Sequence, residues 1–109
     1  MKRTRTYSPL AVEAARLLGA RVELARRERR WTLQELADRV GVSYATMRKV
    51  ERGDLTVALG VALEAAAVLG VPLFDEDRSR RRLEAARVDD RLALLPRRVN
   101  TSVEVDDDF

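Results

Sequence analysis

Trp31-Thr32-Leu33-Gln34-Glu35-Leu36-Ala37-Asp38-Arg39-Val40-Gly41-Val42-Ser43-Tyr44-Ala45-Thr46-Met47-Arg48-Lys49-Val50-Glu51-Arg52-Gly53 carries the start and stop signals of two short helices in succession. Thr32 and Glu35 have the spacing of a capping box, in which a hydroxyl and a carboxylate each satisfy a free backbone N–H at the start of a helix. The helix so begun ends near Val40-Gly41, where glycine permits the positive φ of a tight turn. Ser43 then caps a second short helix that runs to Arg52, with Met47 and Val50 at its inward positions and Gly53 at its end. Leu36, Ala37, Val40, Val42, Met47 and Val50 are expected to hold the two helices across each other over a three-residue turn. With those positions turned inward, Tyr44, Ala45, Arg48, Lys49 and Arg52 project from the opposite face of the second helix, a patch that is basic with one aromatic.

Outward from this pair the periodicity stays helical. Ser8-Pro9 supplies a capping hydroxyl and a proline at the first helical position, and the pattern continues towards Arg29 with Leu18, Val22 and Ala25 on the buried side. On the other flank Leu59, Ala62, Leu63, Ala66 and Leu69 recur at helical spacing until Gly70-Val71-Pro72 stops the element, and the run Ala65 to Ala67 is suited to close helix packing. From Asp75 the chain turns highly charged. Leu83, Ala86, Asp90, Leu92 and Leu95 predict a fifth helix with acidic residues in its first turn, ended by Pro96. Val99, Thr101, Val103 and Val105 alternate in the last segment, which reads as a short strand or an extended tail. The expected class is all-α, organised as a basic arm and the start of helix one over 1–15, a compact domain over 16–74, a charged helix over 75–96 and an extended acidic tail over 97–109.

Composition narrows the chemistry. The 109 residues, 46% of them hydrophobic, suffice for one modest core. With five aromatics and five glycines against an abundance of alanine, leucine, arginine and glutamate, helices are favoured over a sandwich or barrel. The chain has no cysteine and no histidine, so disulfide scaffolds, thiolate or imidazole metal sites and histidine-based catalysis lose their usual groups. No enzyme activity, catalytic residue, metal or cofactor is expected. Residues 1–52 hold 13 Lys/Arg against 6 Asp/Glu, whereas residues 53–109 hold 8 against 12. The basic half is therefore the half suited to a polyanion. Neither a signal peptide nor a membrane span is legible, so the expected location is cytoplasmic and nucleoid-associated.

The combined spacing of Leu18, Val22 and Arg26, Trp31 to Ala37, Val40-Gly41-Val42-Ser43, Thr46, Val50-Glu51-Arg52-Gly53, Ala66 and Leu69-Gly70-Val71 resembles the Cro/C1-repressor-like (XRE) helix-turn-helix family across about residues 17–73. That resemblance implies a five-helix, lambda-repressor-like domain that binds double-stranded DNA. It also implies phosphate contacts at Thr32 and Ser43, base or backbone contacts at Tyr44, Ala45, Arg48 and Lys49, and a buried ion pair between Arg26 and Glu51. Tyr44 and Ala45 depart from the polar pair often found at their positions. One short recognition helix reads few base pairs, so a homodimer on an inverted repeat is expected, with its contact in helix five or in Val99 to Val105. Each residue also has a plain structural role: Thr32, Glu35 and Ser43 as caps, and the runs Arg26 to Arg30 and Arg78 to Arg82 as solvated surface.

A looser similarity concerns the end of the chain. A helix-turn-helix domain followed by an arginine-rich helix, a Leu94-Leu95-Pro96-Arg97-Arg98 turn and a terminal Asp106-Asp107-Asp108-Phe109 looks like the HipB-type antitoxins, partners of HipA-like kinase toxins. It implies partner-binding residues Val103, Asp106, Asp107, Asp108 and Phe109. A stand-alone repressor and a helix-turn-helix module that binds only protein are the alternatives.

Overall fold

The structure, a computed structural model, describes residues 6–97. It contains α1 (Pro9–Glu28), α2 (Leu33–Val40), α3 (Tyr44–Glu51), α4 (Leu59–Leu69) and α5 (Arg78–Ala93), with no strand among the described residues. The all-α class is as expected. The strand-or-tail reading of Val99 to Val105, the arm residues Met1 to Arg5, and the set Val103, Asp106, Asp107, Asp108 and Phe109 lie outside the described residues. No described helix is long and apolar enough to cross a membrane. The chain divides after Leu73 into two units.

In the first unit the starts of α1, α2 and α3 each follow from a local donor–acceptor match, whereas α4 begins after Ala58 with no side-chain cap. Ala11 N donates to Ser8 Oγ at 3.2 Å ahead of α1, where Pro9 holds the first helical position. Both arms of the capping box are formed at α2: Glu35 N donates to Thr32 Oγ1 at 3.1 Å and Thr32 N to Glu35 Oε1 at 2.7 Å. Helix ends are equally legible, with one exception. Gly41 takes φ 89° and opens the three-residue turn to α3. At the end of α1, however, the left-handed position is held by Arg30, φ 59°. Arg30 N donates to Arg27 O at 2.9 Å and Trp31 N to Arg26 O at 3.1 Å, the paired bonds of a Schellman closure that usually employs glycine.

Val22, Leu36, Ala37, Met47, Val50, Ala65 and Leu69 form the core, and Leu18, Ala25, Trp31, Leu33, Val40 and Val42 pack against it. Burial of each of the larger side chains contributes roughly 1.5–3 kcal/mol. Helices α1 and α3 meet backbone to backbone. A Cβ placed on Gly19 would stand 2.6 Å from the carbonyl oxygens of Val50 and Glu51, and one on Gly53 would stand 2.8 Å from the Cα and N of Arg16. Gly19 carries no signal in the periodicity, because its role is to have no side chain at a crossing that only the tertiary structure reveals.

The inward face of α4 differs from expectation. Ala65, Ala66 and Leu69 are buried, but Leu59 is 74% and Leu63 39% exposed, and Ala67 of the alanine run also faces out. The sequence of α4, LGVALEAAAVL, is apolar on nearly every side, so periodicity alone does not single out a face. The helix turns its short side chains towards α1 and α2, where they permit the closest approach, and leaves two leucines at the margin.

In the second unit α5 carries no buried residue. Its first turn has no acidic residue, contrary to expectation. The acid stands one position earlier, at the cap, where Asp77 Oδ1 accepts from Ser79 N at 2.8 Å and Arg80 N at 3.3 Å. Arg81 Nη1 reaches back to the carbonyls of Asp75 and Glu76 at 2.8 and 2.7 Å. The fifth helix forms as expected, but the residues that mark it do not share one face: Leu83 and Leu92 are about two and a half turns apart and so oppose each other. The side that does form is lined by Phe74, Arg81, Ala85 and Val88, and Leu92 continues it one turn beyond Val88.

Candidate nucleic-acid interface

The outward side of α3 is assembled by what the inward side is made to do. Met47 and Val50 are buried, and Glu51 is drawn towards α1 by Arg26. At eight residues, α3 would be marginal as an isolated helix, and its packing sets which side chains are left in solvent. Tyr44, Ala45, Arg48, Lys49 and Arg52 are all exposed, Tyr44 at 45%. Arg52 stands at the C-cap of α3, one residue past its last turn. Among the described residues no carboxylate lies within salt-bridge distance of Arg48, Lys49 or Arg52.

Arg26 and Glu51 hold this helix in place. Arg26 Nε donates to Glu51 Oε2 at 2.7 Å and Nη2 to Glu51 Oε1 at 3.1 Å, a two-point fork, while Nη1 donates to the carbonyl of Trp31 at 2.9 Å. The side chains are 11% and 8% exposed. One guanidinium therefore ties the end of α1, the loop before α2 and the end of α3 together. Its hydrogen bond to Glu51 raises the Arg26 pKa from the ordinary arginine value against the opposing effect of burial. A charge this enclosed is tolerable only because its donors are matched.

The two capping hydroxyls differ in what they have left to offer. Thr32 Oγ1 accepts from Glu35 N, so its own proton can point outwards. Ser43 Oγ accepts from Thr46 N at 3.1 Å and donates to Thr46 Oγ1 at 3.0 Å. Its proton is thereby engaged, and the hydroxyl proton of Thr46 becomes the free donor at the start of α3. Thr46 stood outside the candidate set, although its spacing three residues after the cap was the available signal. Beyond α3, Thr56 donates through both N and Oγ1 to Asp54 Oδ1 at 2.8 and 2.6 Å. These bonds lower the Asp54 pKa from its ordinary value.

Trp31 is bracketed by two guanidiniums, Arg39 at 4.0 Å and Arg29 at 5.3 Å from the ring centroid. Both distances lie in the range of cation–π attraction. Two of the basic residues near the turn before α2 are thus occupied with packing on an indole as well as facing solvent.

No curated protein matches the chain. A scan against protein families matches the family described as Helix-turn-helix over residues 22–75, the span from the middle of α1 to just beyond α4 that contains the ion pair, the capping box and the outward face of α3. Through those residues the chain belongs to the helix-turn-helix family of the Cro/C1 type (XRE), and it is accordingly a DNA-binding transcription regulator.

Proposed function

We propose that the protein is a sequence-specific repressor that binds an inverted-repeat operator as a homodimer. In this reading α3 enters the major groove with Tyr44, Ala45, Arg48, Lys49 and Arg52 facing DNA, while Thr32, the helix N-termini that Thr32 and Ser43 cap and, because the Ser43 proton is engaged, the Thr46 hydroxyl meet phosphates. The observation that carries it is the unpaired basic face of α3, held at a preset angle by the part-buried Arg26–Glu51 fork. Two copies would set two recognition helices about 34–36 Å apart, one turn of B-DNA. Among the described residues of its unit no element covers the side of α5 that carries Ala85, Val88 and Leu92, which supports α5 as the dimer contact. The test is operator affinity over a range of salt. Replacing Arg48 and Lys49 together by Ala should weaken binding, with a base contact worth about 1–3 kcal/mol of discrimination and each lost phosphate contact lowering the salt slope by about one. Wild-type affinity in that double variant at every salt concentration would remove α3 from the interface.

The finer role we propose is that of the antitoxin of a type II pair, binding a HipA-like kinase toxin and repressing its own operon. Its support is chemical: the chain after residue 52 is net acidic while the DNA-facing half is basic, and Asp106-Asp107-Asp108 is followed by an apolar anchor, Phe109. Deleting Val103 to Phe109 should leave operator binding intact and lower affinity for a co-purified toxin at least tenfold, about 1.4 kcal/mol. If the truncated chain neutralises the toxin as well as the full chain does, that segment is not the toxin contact. A preparation that captures operator DNA and no kinase points to a stand-alone repressor.

A further inference from the structure

We infer that Arg27 on α1, outside the helix-turn-helix itself, is a DNA phosphate contact that widens the footprint beyond α3; the inference rests on the DNA-binding reading above. A groove runs between the end of α1 and α3, lined by Glu23, Arg26 and Arg27 on one side and Tyr44, Arg48 and Arg52 on the other, with Leu33 and Glu51 completing it. Arg26 and Glu51 neutralise each other within their part-buried fork. What remains at the rim is Arg48 and Arg52 from α3, and facing them the pair Glu23–Arg27.

Arg27 is 68% exposed, yet its Nη2 stands 2.7 Å from Glu23 Oε2 one turn earlier on the same helix. As a contribution to stability such an exposed pair is worth little. Its consequence is for charge and direction. Unpaired, the Glu23 carboxylate would face the groove that a phosphate backbone is to approach. With Arg27 laid against it the rim stays cationic, and the guanidinium still has donors left for a phosphate, since its five N–H groups exceed what one carboxylate can accept. Leu33, the first residue of α2, lines the same groove. Arg21 provides an internal contrast: it is also exposed on α1, but it lines a different groove, with Leu69, Val71 and Pro72 beside α4.

The experiment compares binding of the full-length protein to two duplexes, one carrying the sequence it selects from a random library and one scrambled, from low to high salt. Arg27→Ala should bind both about tenfold more weakly, keep the ratio between them, and show a salt slope smaller by about one. Arg21→Ala should match the wild type. The double variant Glu23→Gln/Arg27→Ala should regain part of the loss, because it removes the carboxylate that Arg27→Ala leaves unmasked. Unchanged affinity and slope in Arg27→Ala would overturn the inference, and so would a loss confined to the selected duplex, which would make Arg27 a base reader. If the wild type selects no duplex at all, the DNA reading itself fails; if only Arg48→Ala weakens binding, that reading stands and the Arg27 contact alone is refuted.

Discussion

The unit that ends at Leu73 and the unit that begins at Phe74 draw on the same alphabet of Leu, Val, Ala, Arg and Glu, yet one buries Val22, Leu36, Met47 and Leu69 while the other leaves every residue of α5 exposed. Both have well-made helix starts, with Thr32 and Ser43 in the first and Asp77 in the second. The difference lies in what each helix has to pack on. Helices α1 to α4 close around one another, so each buries at least two residues against its neighbours. The sixteen residues of α5 keep Leu83, Val88 and Leu92 at 52%, 51% and 59% exposure. Capping and periodicity are thus sufficient to specify a helix, whereas burial requires a second surface, and α5 is the element with most to gain from a partner.

The sharpest way to break this contrast is at the ion pair. Arg26→Ala leaves Glu51 charged and enclosed, and should cost about 3–5 kcal/mol in denaturant unfolding, with DNA binding lost at temperatures where the wild type still binds. A loss below about 1 kcal/mol would mean that the pair is far better solvated than its 11% and 8% exposures imply. Next in size is Gly19→Ala, which drives a methyl group into the α3 carbonyls and should cost about 1–3 kcal/mol by overpacking. An unchanged melting temperature would show that α1 and α3 can separate there at no cost. The smallest effect on the single chain is expected at α5. Leu92→Ala should alter its unfolding free energy by no more than about 0.5 kcal/mol, where Leu36→Ala costs about 2–5 kcal/mol. The same Leu92→Ala should shift the dimer towards monomer in sedimentation at tens of micromolar if α5 is the contact. A dimer indifferent to that change would place the interface elsewhere.

The candidate interface was legible to the extent that its residues obey short-range rules. The capping box at Thr32 and Glu35, the turn at Gly41 and the inward Met47 and Val50 are separated by three or four residues, and those spacings imply which side chains remain outward. The pairing of Arg26 with Glu51 spans 25 residues and came through family resemblance, since nothing in either local sequence distinguishes those two charges from their neighbours. Thr46 was missed because the Ser43 hydroxyl could be counted as free until the Ser43–Thr46 hydrogen bond was seen.

The five helices, the caps at Ser8, Thr32 and Ser43 and the all-α class follow from the sequence alone, because capping, left-handed turns and amphipathic spacing act within a few residues of chain. The inward face of α4 and the need for Gly19 to lack a side chain come instead from the packing of the helices on one another. An almost uniformly apolar helix has no preferred face until its neighbours supply one, and a close crossing of two backbones leaves no trace in the spacing of either.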